Sequence, residues 1–175
     1  QLYSMFNNAK NLTTLDVSGW NTYKVTTLEQ TFSNLTNLTD LNVDGWNTRN
    51  VTNLKSLFGS CRVLPNIDIS NIQTDSATTM NNIFYRCAEL TELDLSHWDT
   101  SNCTNFYGVF SSCAKLQKVN LAGWDTSKGT DLGYMFNFCS SLKELDLSHF
   151  DVAKTKNMHW MFCSCTSLEK LNVST

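Results

Sequence analysis

Residues 135–148 read MFNFCSSLKELDLS, and near copies stand at 82–96 (NIFYRCAELTELDLS) and 5–18 (MFNNAKNLTTLDVS). Counted from the phenylalanine, the copies keep one spacing. Phe6, Phe32, Phe58, Phe84, Phe110, Phe136 and Phe162 follow one another at intervals of 26 residues, with no insertion or deletion. Six residues after each comes a leucine (Leu12, Leu38, Leu64, Leu90, Leu116, Leu142, Leu168), so the repeat keeps its phase through seven copies. A unit this short cannot bury an apolar face alone, but stacked copies share a continuous core, which makes the chain a solenoid.

Within each copy the positions led by Leu15 and Val17, and in the sixth copy by Leu145 and Leu147, alternate with polar residues. That period of two predicts a short strand with its leucines inward. The segments before each phenylalanine, such as VTTLEQTF (25–32) and GTDLGYMF (129–136), space their apolar residues three apart. This spacing predicts a short helical or 3-10 turn on the opposite face. The expected architecture is an α/β solenoid of about seven 26-residue coils, one domain over 1–175, in phase and uncapped at both ends.

The chain is 41% hydrophobic and carries 13 Lys and Arg against 16 Asp and Glu, a net charge of −3 with no basic stripe. Nucleic acid is therefore not an expected partner. No apolar run approaches the roughly 20 residues of a membrane span, so direct membrane insertion is not expected either. Catalysis needs a nonrepeating cluster on grafted loops, and a chain without insertions offers none. His97 and His149 share one repeat position, which reads as repeat drift rather than as a catalytic base. The chain is not expected to be an enzyme or to carry a cofactor.

Cys61, Cys87, Cys113, Cys139 and Cys165 stand three residues after the phenylalanine, where the first two copies have Ala9 and Leu35. Exchange with small apolar residues predicts a structural ladder of buried, reduced thiols. Parallel Cβ vectors at the rung spacing disfavour disulfides, and a straight ladder does not converge on a tetrahedral metal site. Cys103 falls at a core position shared with Val25 and Val51, whereas Cys163 takes a polar position near His159 and is expected to be exposed.

Outward between the strand leucines stand Asp16, Asn42, Asp68, Asp94, Asn120, Asp146 and Asn172. Beside them lie Asn66, Glu92, Lys118, Glu144 and Lys170 on one side, and on the other a column from Ser18 to Ser148 and Ser174. This ladder is the candidate interaction face. The competing reading is a solvated sheet face in which amides and alternating signs relieve repulsion between stacked acids. Trp20, Trp46, Trp98 and Trp124 share a column with Ile72 and Phe150. Exposed, that row would be a sugar-stacking platform; the exchange with Ile and Phe favours a core position. The pairs that follow, from Asn21 with Thr22 to Asp125 with Thr126, look like turn closures.

The pattern MFxxCxxLxxLDLSxWDTSxxTxM, fullest from Ile83 through Phe110 and from Met135 to Met161, resembles the repeat of BspA-type leucine-rich-repeat surface proteins. The resemblance covers essentially the whole chain. It implies a right-handed leucine-rich-repeat solenoid displayed outside cells, with adhesive or host-binding roles and no shared enzymatic activity. The chain departs from the pattern where the first two copies lack the cysteine, at Ile72 in place of Trp and at Val152 in place of Thr. The expected function is a noncatalytic extracellular interaction or adhesion module with a protein or glycan ligand. Two alternatives stand beside it: a fibre subunit that stacks head to tail into filaments, and a carbohydrate-binding rod that uses the tryptophans.

Overall fold

The computed structural model describes residues 1–173, so Ser174 of the serine column and the chain end at Thr175 lie outside the described residues. Each 26-residue copy makes one coil, numbered here 1 to 7 by its phenylalanine. Three-residue strands mark the leucine positions: β1 (Thr14–Asp16), β2 (Asp40–Asn42), β3 (Glu92–Asp94), β4 (Lys118–Asn120), β5 (Glu144–Asp146) and β6 (Lys170–Asn172). They pair in parallel and in repeat register, with Leu15 opposite Leu41, Leu93 opposite Val119 and Leu145 opposite Leu171. The middle leucines of β2, β3 and β5 are buried while their flanking residues face outward, as the alternation predicts.

Coil 3 has no strand, and the cause is Pro65. In coils 2, 5 and 7 the residue at this position donates its backbone N–H to the preceding coil, Thr39 to Thr13, Gln117 to Thr91 and Glu169 to Lys143, all at 2.8 Å. Proline has no N–H to give. The pairing divides into β1-β2, β3-β4 and β5-β6: the first gap falls at coil 3, and a second falls between coils 5 and 6, where Lys143 stands and no proline explains it.

A second wall is continuous where the first is broken. Parallel bridges join Thr27 to Asn53, then Thr79, Asn105, Asp131 and Asn157, one per coil. Coil 3 takes part through Asn53, whose carbonyl accepts from Leu28 at 2.9 Å.

The third wall corrects the expectation from sequence. Among the described residues the helical or 3-10 turns, and with them the α half of an α/β class, do not form; a run of reverse turns takes their place. Ser4, Phe6 and Asn8 donate along the axis to Glu29, Thr31 and Ser33 of the next coil at 2.9 to 3.0 Å. Met5, Asn7 and Ala9 close turns onto carbonyls three residues back. Two residues per coil hold a left-handed backbone: Ser4 and its equivalents through Trp160 at φ 51° to 62°, and Asn8 and its equivalents through Ser164 at φ 57° to 65°. Such a residue ends a helix and suits the third place of a type II turn. The left-handed conformation costs a residue other than glycine roughly 1–2 kcal/mol, which the axial hydrogen bonds offset in every coil.

Inside the walls the phenylalanines form a spine. Successive rings from Phe6 to Phe162 stack, with centroids 5.3 to 5.9 Å apart. Trp46, Trp98 and Trp124 pack beside the spine at 1 to 3% exposure, and Trp20 is half-buried. The tryptophan row is therefore core, and it corrects the reading of that row as a sugar platform.

Candidate interaction surface

The strand wall presents the candidate residues in columns. Asp16 faces Asn42 in register, Glu92 faces Lys118, Asp94 faces Asn120, and Glu144 and Asp146 face Lys170 and Asn172. Asn66 and Asp68 lie on the same wall in coil 3, outside any strand. Asn42 and Asn120 are half-buried, and the other members of the face are exposed. Glu144 meets Lys170 at 3.7 Å. A trough of about 690 Å³ runs over coils 5 to 7, lined by Lys118, Asn120, Glu144, Asp146 and Lys170 among others.

Each acid of the middle column is tied to its own coil. One carboxylate oxygen of Asp16, Asp68, Asp94 and Asp146 accepts the backbone N–H of the serine two residues on, at 2.9 to 3.0 Å. That bond and the same serine's hydroxyl hold all four carboxyls below the usual range. Amides of the next coil, Asn42, Asn120 and Asn172, add a hydrogen bond to Asp16, Asp94 and Asp146. The column is thus part turn closure, which the sequence reading did not assign to it, and part acid–amide ladder, as the solvated-face reading expects. Coil 3 again differs. Asp68 and Asp94 follow one another with no amide between, and with Glu92 and His97 they line a depression of about 310 Å³.

The thiols lie inside. Cys61, Cys87, Cys113 and Cys139 are buried, Cys165 is half-buried, and all are free. Each S–H reaches back to the phenylalanine carbonyl of the preceding coil at 3.0 to 3.1 Å, from Cys61 on Phe32 to Cys165 on Phe136. A thiol here fills the space of Ala9 or Leu35 and adds a weak axial donor, a role that exchange with apolar residues does not reveal. Burial pushes Cys61, Cys103 and Cys113 up to about 12. It raises Cys87 and Cys139 strongly as well, with neighbouring thiols adding to the effect. Thiols so held are poor nucleophiles. Cys163 is exposed beside Ser164.

Two further axial devices escaped the sequence reading. The buried hydroxyls of Thr22, Thr48, Thr74, Thr100 and Thr126 donate to carbonyls of the next coil at 2.8 to 3.0 Å, so they join coils as well as closing turns. After β1, β2, β3 and β4, and at the same place in coil 3, one carbonyl is capped from the coil that follows, by one of two neighbouring positions. Where glycine precedes tryptophan, the indole donates, as Trp46 does to Val17 and Trp124 does to Leu95. In the coils where Ile72 or Phe150 replaces the indole, Asn71 serves Val43 and His149 contacts Leu121 instead. Coil 4 has both groups: His97 takes the Ile69 carbonyl, and the buried indole nitrogen of Trp98 has no hydrogen-bond partner. His97 and His149 are thus cap residues rather than drift.

Among the described residues no three His, Cys, Asp or Glu gather as metal ligands. No helix is long and apolar enough to cross a membrane.

Parallel strands in repeat register, an inward leucine ladder and a phenylalanine spine define a leucine-rich-repeat solenoid built on the BspA-type repeat. The chain belongs to the family described as Mycoplasma protein of unknown function, DUF285, which matches residues 1–119 and 89–174. Its fold is similar to that of a leucine-rich repeat protein from Bacteroides ovatus ATCC 8483, at 19% identity and a TM-score of 0.64 over 97% of this chain and 39% of that one. A leucine rich cell surface protein from Faecalibacterium prausnitzii A2-165 matches at 15% identity and a TM-score of 0.37, over 97% of this chain and 62% of its own. The chain thus spans less than two thirds of either protein. Comparison with curated proteins found no match.

Proposed function

We propose that the chain is a noncatalytic, single-domain interaction module that works outside the cell and adheres to protein ligands through its strand wall. In this reading the coils wind right-handed, as connections between parallel neighbouring strands overwhelmingly do. The observation that carries the proposal is the group Asp68, Glu92 and Asp94, exposed beside the depression where Pro65 interrupts the ladder. Elsewhere amides or lysines stand between the acids, so this is where the wall concentrates negative charge. A basic segment of a partner complements it, and complementary charge on a rigid scaffold sets encounter rate and specificity. The test uses a panel of immobilised matrix glycoproteins. Reversing Asp68→Lys with Asp94→Lys should abolish capture by those that bind and remove its salt dependence, in a protein that stays folded and loses only the turn closures of Ser70 and Ser96. Capture that survives both reversals rejects this face.

A further inference from the structure

The wall of reverse turns is where the repeat departs furthest from itself. In coils 1 to 3 its left-handed columns carry Ser4, Gln30 and Ser56, and Asn8, Asn34 and Ser60. A Glu29–Lys55 ion pair at 3.2 Å covers the wall there. In the later coils the wall turns aromatic. Tyr107 meets Tyr134 at 5.2 Å between centroids, Tyr134 meets Trp160 at 5.4 Å, and the Arg86 guanidinium lies 5.0 Å over the Tyr85 ring. Core packing does not explain this ribbon, for Phe138 and Trp160 remain 52% and 54% exposed.

Coil 5 cuts a notch in that ribbon. It places Gly108, Ser111 and Ser112 in the columns where coil 4 has Asn82, Tyr85 and Arg86 and coil 6 has Tyr134, Asn137 and Phe138. The result is a cleft of about 440 Å³ with large side chains for walls and small ones for a floor. Gly108 lets the Asn82 side chain lie across coil 5, because a Cβ there would collide with the Asn82 amide oxygen, and Ser111 and Ser112 form the floor. Coils two steps apart are separated by roughly 10 Å, so between aromatic walls there is room for a group about one ring thick. Burial, with the neighbouring Tyr134 and Asp131, raises the Tyr107 phenol, which stays protonated and able to donate.

We propose that this notch binds one pyranose unit of a glycan, its C–H face against Tyr85 or Tyr134 and its hydroxyls on the Asn82 amide, the Ser112 hydroxyl and the Arg86 guanidinium. The lining favours a sugar over a proline-rich segment. Its amide and hydroxyl groups donate and accept; a polyol answers both, whereas a proline-rich segment, with carbonyls and no N–H, answers only the donors. No carboxylate lines the cleft, and Arg86 is its one cation. The site lies on the wall opposite the strand face and does not depend on the adhesion reading.

Calorimetric titration with hexaoses of glucose, mannose and N-acetylglucosamine, and with decaproline for contrast, tests the assignment. Saturable binding of at least one hexaose is expected. Tyr134→Ala should weaken it about tenfold, the scale of one lost stacking contact. Ser112→Phe should abolish it by filling the notch. That variant is expected to fold, because Phe138 already occupies the same column at φ 57° against 64° for Ser112. Asp94→Lys should change neither result, so failure here is distinct from failure of the strand-face reading. Absence of saturable binding by every hexaose, or hexaose binding that withstands Ser112→Phe, overturns the proposal. Decaproline held in the notch in preference to the sugars overturns it as well.

Discussion

The strand wall and the Thr27-to-Asn157 wall face the same perturbation at coil 3 and respond differently. Pro65 divides the strand ladder, while the bridges through Asn53 continue from coil 2 to coil 6 and beyond. The core between them is unaffected, with Ile69 and Ile72 still buried. Coils are held together by several parallel columns of axial contacts, so one column can lose a coil without parting the stack. That tolerance leaves one wall free to vary in sequence.

The largest effect should come from the column the two walls share. Phe84 is fully buried and stacks on Phe58 at 5.6 Å and on Phe110 at 5.9 Å. Phe84→Ala should cost about 3–5 kcal/mol in denaturant unfolding. Phe6→Ala, half-buried with one spine neighbour, should cost clearly less. Equal losses would mean that the continuity of the spine is not what stabilises it.

Next come the buried thiols. Their folded-state values are raised, so the protonated form favours folding: the contribution is complete below the ordinary thiol value of about 8.5 and is lost as pH rises towards the folded values. For Cys61, Cys103 and Cys113 the window closes at about 12. Stability should fall by up to about 1.4 kcal/mol per pH unit for each such thiol, and Cys113→Ala should flatten the slope. Thiol titration of the native protein should find Cys163, the one exposed cysteine, and denaturation should release all seven.

A smaller effect separates the two walls themselves. Thr78 donates its backbone N–H to Thr52 at 2.9 Å in the continuous wall. Thr78→Pro should cost about 1–3 kcal/mol by orphaning that carbonyl. Pro65→Thr, which supplies an N–H to the Thr39 carbonyl, should gain at most about 1 kcal/mol, since a flexible residue also frees the unfolded chain. Hydrogen exchange reads the outcome directly: a protected amide at position 65 confirms that proline alone broke the ladder, and an unprotected one refutes it.

The smallest effect tests the two-position cap. His149→Gly leaves the Leu121 carbonyl with no donor on Phe150 and should cost about 1 kcal/mol. His97→Gly lets the unpartnered Trp98 indole take the Ile69 carbonyl, so thermal melts should show almost no loss. A larger loss at His97 than at His149 would break the exchange rule.

Period, coil register, inward leucines and the phenylalanine spine were all legible in the chain, because burial imposes one constraint at each position and seven copies repeat it without a shift. The columns of the candidate face were legible for the same reason, from Asp16 and Asn42 to Glu144 and Asp146. Tertiary structure decided how those columns are engaged. An apolar spacing of three suits a helical turn and a run of reverse turns equally, and only the direction of the N–H groups of Ser4, Phe6 and Asn8, along the axis, separates the two. The amide bonds on the aspartates, the caps that His97 and the tryptophans place on the preceding coil, and the notch of coil 5 depend on groups 24 or more residues apart that meet only when coils stack. Periodicity records what each coil buries; what one coil presents to the next is set by the stacking itself.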